Sequence, residues 1–159
     1  EIVLIAVEGI THALKVKGCS LFIFSPKNHE LKVAGSYGLS DEYIDKGSVS
    51  ALESIASSLE DGQPVAIYDV TDGPRIQYAE AAKSEGIASI LSVPIYVRGQ
   101  IIGAMRVYTS EHWEFTLEDV NFVQALAQIA GILIDLSRLI QGQQEYIDVL
   151  TTMKETRDM

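Results

Sequence analysis

Apolar residues fill nearly every position from Ile2 to Val7 and recur to Val16, with Lys15 and Lys17 following. All-round apolarity with cations at the C-terminal end predicts a helix over residues 2–16, closed by Gly18. Leu21-Phe22-Ile23-Phe24 is a continuous apolar run, which predicts a strand buried on both faces. Pro26 to His29 predicts a turn, and residues 31–37 a returning strand. Residues 38–48 are polar with two glycines and read as loop. Residues 52–59 predict a short helix stopped at Asp61-Gly62, and residues 65–68 a short strand. Residues 69–74 carry loop chemistry, and residues 76–85 predict a helix closed by Gly86. Residues 89–97 and 101–108 flank Arg98-Gly99-Gln100 as a tight hairpin. Thr116-Leu117-Glu118-Asp119 then opens a helix, with the Thr116 hydroxyl as cap and acidic residues in the first turn.

Strand pairs interrupted by helices predict an α+β architecture: a central antiparallel sheet of five to six strands, helices on both faces, and a long C-terminal helix. A heptad can be laid on that last helix. Leu126, Leu133, Ile140 and Ile147 fall at one seam position; Ile129, Leu136, Gln143 and Leu150 fall at the other. Val120, Val123, Ala127 and Ala130 form a second apolar stripe suited to packing on the sheet. Past Leu139 a small sheet cannot cover a helix roughly 60 Å long at ~1.5 Å per residue. Residues 1–140 are therefore expected to form one domain, with residues 141–159 a helical extension. The expected assembly is a homodimer through this helix and the first one, with Leu126, Ile129, Leu133, Leu136, Ile140, Ile147 and Leu150 at its interface.

Composition narrows the functional classes. A 159-residue chain that is 47% hydrophobic is long and apolar enough for a self-sufficient core. A net charge of −10 with no basic run argues against a nucleic-acid partner. The N-terminal apolar stretch is interrupted at Glu8, too soon for a membrane span, so no direct membrane contact is expected. The single cysteine, Cys19, excludes an intrachain disulfide and suits a reducing, cytoplasmic setting. The chain starts at Glu1 in mid-pattern, as a segment of a larger protein would.

Five pieces occur in a recognisable order: GQPVAIYD, the loop GPR, GIASILSVPIY, RGQIIGAMRVY and FTLEDV, preceded by GCSLFIFSPKNHELKVAGSYGL. This order resembles the GAF family of regulatory sensor domains, over roughly residues 1–140. The resemblance implies the same α+β fold, related to PAS domains but with a different order of elements. It implies a small-molecule sensor whose helices lead into an output domain: a kinase, a cyclase or a transcription activator.

Alternation along residues 101–108 puts Ile102, Ala104, Arg106 and Tyr108 on one face. A charge in mid-strand requires either an internal partner, such as Asp69 or Glu80, or a ligand. Carried over from cyclic-nucleotide-binding members of the family, the pocket would touch Ser20, Tyr37, Tyr78, Ser89 and Arg106, with Tyr68, Arg75 and Tyr108 as neighbours. Hydroxyls, rings and one guanidinium make a coherent set. Those members carry Asn-Lys, Phe and Asp-Glu across the last strand and helix start. Here Tyr108-Thr109 stand for Asn-Lys and Glu118-Asp119 for Asp-Glu, and an Arg sits where a nucleotide pocket can hold an acid. A small anionic ligand, such as a carboxylate, suits Arg106 and the hydroxyls better than cyclic GMP.

Other chemistries of the family lack their residues. Cys19 alone offers no second thiol to resolve a sulfoxide-reductase intermediate. Residues 76–90 hold no cysteine or histidine to carry a bilin. His12, His29 and His112 lack metal-ligand spacing, and no nucleophile elbow or phosphate loop is present. The expectation is a non-enzymatic domain with no cofactor and no metal. The alternative is a ligand-free module of the same type, serving dimerisation and protein contact alone.

Overall fold

The computed structural model describes residues 2–24, 31–45, 62–71 and 79–157. Its elements are α1 (Ile2–Leu14), β1 (Gly18–Phe24), β2 (Leu31–Tyr37), β3 (Val65–Ile67), α2 (Ala79–Glu85), β4 (Ser89–Val97), β5 (Gln100–Thr109) and α3 (Leu117–Arg157). The five strands form one antiparallel sheet in the order β2-β1-β5-β4-β3. The expected helix over 52–59 and the turn at 26–29 lie outside the described residues.

Helix α1 stops earlier than Gly18. Lys15 adopts a left-handed φ of 56°, and the Val16 amide reaches back to the Thr11 carbonyl at 3.2 Å. Gly18 instead begins β1, where a Cβ would meet the Tyr37 carbonyl at 2.6 Å. Residues 41–45, expected as loop, form a short helical segment instead. The hairpin between β4 and β5 turns on Arg98 and Gly99, both at positive φ, as a two-residue turn requires.

One face of the sheet carries α1 and α3. Val7 and Ile10 of α1 and Val123, Ala127 and Ala130 of α3 pack there against Cys19, Leu21, Leu91, Val93, Met105 and Val107. Gln124 Nε2 donates to the Pro94 carbonyl at 2.9 Å, pinning α3 across β4. At the start of α3, the Asp119 amide donates to Thr116 Oγ1 at 3.1 Å while the Thr116 amide donates to the Asp119 carboxylate at 3.0 Å. The opposite face is covered by α2 and the 41–45 segment, with Tyr43, Val70, Ala82, Ile87, Ile90 and Tyr108 as its core. Among the described residues, the stretch Leu117–Gly142 is the one helix long and apolar enough to cross a membrane.

Two bulges decide which side chains share a face. The β1–β2 register slips between Leu21 and Phe22, and the β4–β5 register slips between Ile95 and Tyr96.

Candidate functional site

Opposing residues of an antiparallel pair share a face. Ser20, Arg106 and Ser92 are aligned across β1, β5 and β4, so all three face α2 and the 41–45 segment. Each is buried, with 4% or less of its surface exposed. The Nε of Arg106 and the Oγ of Ser92 have no hydrogen-bond partner among the described residues. No ion pair joins Arg106 to a carboxylate among them either. Of the internal partners considered from sequence, Asp69 accepts from Thr71 and lies 3.7 Å from His112, while Glu80 lines an open cavity.

Arg106 does have an aromatic neighbour, since its Cζ lies 5.7 Å from the Tyr108 ring centroid. The Tyr108 hydroxyl is hydrogen-bonded to Ser20 Oγ at 2.9 Å. Burial pushes the Tyr108 phenol up, against smaller opposing pulls from Arg106 and the Ser20 bond, so it stays neutral. Tyr43 stands edge-on to Tyr108, with ring centroids 6.1 Å apart. Its phenol is also pushed up by burial. Beyond Tyr43 lies a cavity of about 450 Å³, lined by Ser40, Glu42, Tyr43, Glu80, Ser84 and Glu85.

The sequence-expected residues separate into groups. Ser20, Arg106 and Tyr108 are brought together. Tyr37 is not: it pairs with Cys19 and so faces α1, where its ring tilts against His12 at 5.4 Å. Ser89 pairs with Thr109, on the face away from Arg106. Its hydroxyl donates to the Tyr68 carbonyl and accepts from the Trp113 amide at 2.9 Å, tying the sheet's end together. Tyr68 is 56% exposed and stacks on His112 at 5.2 Å. Arg75 and Tyr78 lie outside the described residues. Two site residues that sequence reasoning missed are Ser92 and Tyr43. Ser92 is the only polar residue inside an otherwise apolar run from Ile90 to Val97, which was a usable signal.

On the other side of the sheet, Leu126 is half-buried, while Ile129, Leu133, Leu136, Ile140 and Leu150 are exposed. Nothing is described for the side chain of Ile147. Leu126, Ile129 and Leu133 line a shallow apolar groove of about 200 Å³ together with Ile5, Gly9 and Ile10 of α1. Cys19 is fully buried, and burial pushes its thiol up to about 12. Among the described residues no group of His, Cys, Asp and Glu is placed to hold a metal ion.

Comparison with known proteins places this geometry. Solved structures of the same fold include the GAF domain of a phosphoenolpyruvate-protein phosphotransferase from Coxiella burnetii, at TM-score 0.74 and 22% identity, covering 88% of this chain and 84% of that one. A domain of a protein described as a two-component sensor histidine kinase from Sinorhizobium meliloti matches at TM-score 0.71 and 20% identity, covering 88% and 92%. A GAF domain/HD domain protein from Geobacter sulfurreducens matches at 0.67 and 17%, covering 84% and 90%. No curated protein matches the chain. The GAF domain family model matches residues 1–134, and the chain belongs to that family.

Proposed function

We propose that this GAF domain is a non-catalytic, cytoplasmic sensor that binds a small anionic molecule at Arg106 and passes the signal through paired helices to an output domain. The observation that carries the reading is the pair Arg106 and Ser92. Two buried donors face each other across β4 and β5 with no acceptor among the described residues. Leaving the buried Nε of a guanidinium without an acceptor costs about 1–3 kcal/mol, which a bound carboxylate offsets through charge-assisted hydrogen bonds. The raised, buried Cys19 thiol supports a domain without nucleophilic chemistry.

The exposed apolar faces of α1 and α3 supply the route outward. Ile5 is 69% exposed, Leu136 51% and Ile140 59%, a contiguous stripe of the kind a second copy covers. Residues 141–159 act in this reading as the linker to a kinase, cyclase or transcription activator.

Native mass spectrometry on freshly purified protein, compared with its denatured mass, tests the proposal. The expected result is a small added mass retained natively, lost on denaturation and absent from Arg106→Met. A retained mass that survives Arg106→Met would overturn the assignment of the anchor.

A second reading rests on a specific observation of its own. Arg106 already lies beside the Tyr108 ring, and Tyr108 is bonded to Ser20, so the face is partly filled by its own side chains. The domain would then serve dimerisation and protein contact alone. A clean apo mass together with a stable dimer would favour it.

A further inference from the structure

We infer that the molecule anchored at Arg106 is a short 2-hydroxycarboxylate: one acid group, a neutral hydroxyl on the carbon next to it, and an apolar remainder. This rests on the reading of Arg106 and Ser92 as the anion's anchor. It adds what the second of those residues requires.

The two orphaned atoms lack different things. Arg106 Nε carries one N–H and can only donate, so it requires an acceptor. Ser92 Oγ carries one O–H and two lone pairs, so it requires an acceptor and a donor. Ser20, on the other side of Arg106, has no such need, because its hydroxyl is bonded to Tyr108 at 2.9 Å. A plain carboxylate can accept from both orphans, but it leaves the Ser92 lone pairs bare. A hydroxyl beside the acid group supplies the missing donor. One small molecule can meet both residues, since opposing residues of antiparallel strands have Cα atoms about 4.5–5.5 Å apart.

Charge decides that this donor is neutral. An ammonium on the same carbon would donate as well, but it would stand beside the guanidinium as a like charge. The row of residues across the strands holds no carboxylate to offset it: it reads Ser36, Ser20, Arg106, Ser92 and Val65. The rows on either side limit the rest of the molecule. Phe22, Ala104 and Pro94 on one side and Ile90 on the other are apolar and buried, and the Tyr108 hydroxyl beside Ile90 is already bonded. A second charge on the ligand would lie there without a partner, which disfavours dicarboxylates.

Calorimetric titration of the intact, ligand-stripped protein at neutral pH tests the inference with propionate, the two enantiomers of lactate, and alanine. All share a three-carbon skeleton. The better lactate enantiomer is expected above propionate by about two- to tenfold, the worth of one neutral hydrogen bond. Alanine is expected below propionate. Ser92→Ala should cancel the advantage of lactate, and Arg106→Met should remove binding of all four compounds. If propionate binds as tightly as either lactate and still requires Arg106, the hydroxyl is overturned and the anion anchor stands. A lactate advantage that survives Ser92→Ala, or alanine binding above lactate, likewise overturns the inference and spares the anchor. If the compounds bind equally well to Arg106→Met, or if none binds, the anchor falls and the inference with it. The ranking on the parent protein depends on no variant folding.

Discussion

Glu85 spends both carboxylate oxygens on one residue: the Ser40 amide donates to Oε2 at 2.6 Å and the Ser40 hydroxyl to Oε1 at 2.7 Å. Ser40 Oγ in turn accepts from the Tyr43 amide at 3.1 Å. One side chain of α2 thus holds the N-terminus of the segment that carries Tyr43. Glu85→Ala should lower the unfolding free energy by about 1 kcal/mol, as loss of a helix cap does, and Ser40→Ala by a similar amount. Because they share the bonds, the double variant should lose clearly less than the sum in urea unfolding. Strict additivity would show that the contact carries no coupling.

Arg106→Met should leave the ligand-free protein at least as stable as the parent. An apolar side chain of similar length removes a buried guanidinium whose Nε has no partner among the described residues, an exchange that is neutral or favourable for buried ions. Calorimetric melting of protein stripped of ligand checks this. A melting temperature lower by several degrees would mean that the guanidinium has an internal partner.

Leu136→Asp should yield a folded monomer. Leu136 faces solvent from α3, while Val123, Ala127, Ala130 and Ile134 of the same helix turn inward. A charge there leaves the core intact and is intolerable only in an apolar seam. Sedimentation analysis with circular dichroism separates the two effects, and an unchanged dimer would rule out this seam as the interface.

The cap of α3 predicts an acid response with a definite sign. The Thr116 amide holds the Asp119 carboxyl below the usual carboxylate range, assisted by the Thr116 hydroxyl and Trp113 Nε1. A depressed folded pKa contributes stability above the unfolded value of about 3.9 and loses it as pH falls through the folded value. Asp119→Asn should therefore melt lower than the parent at neutral pH, and the difference should shrink toward strong acid. A difference that is constant with pH would show that the carboxylate's charge is not involved.

The alternation of β5 was legible in the sequence, and it placed Arg106 and Tyr108 on one face. The faces of their neighbours were not, because two bulges invert them. Continuing the pairing of Val97 with Gln100 without interruption would set Ser89 opposite Tyr108 and Ser92 opposite Met105. The slip at Ile95/Tyr96 moves Ser89 to Thr109 and brings Ser92 to Arg106. The slip at Leu21/Phe22 likewise pairs Tyr37 with Cys19, where an unbroken ladder from Phe24 and Leu31 would have paired it with Gly18. A one-residue slip flips every side chain beyond it, so one irregularity per hairpin accounts for Tyr37 and Ser89 leaving the site and Ser92 entering it. Gly103 lies beside the β4–β5 slip, and a Cβ there would run into the Phe22 carbonyl of neighbouring β1. The 41–45 segment escaped sequence reading for a different reason. Its cap partner, Glu85, lies 45 residues away along the chain.

Helix α3 is seated on β4 through Ile134 and then continues to Arg157 without a break. The part beyond Ile134 is about 35 Å long at ~1.5 Å per residue. It is a lever with a short, gripped arm and a long outer one. A tilt of about 5° at the sheet would carry the far end sideways by about 3 Å, half the pitch of a helical turn. Displacements too small to disturb the core around Gln124 and Pro94 are thereby enlarged to the scale on which neighbouring helices exchange one packing for another.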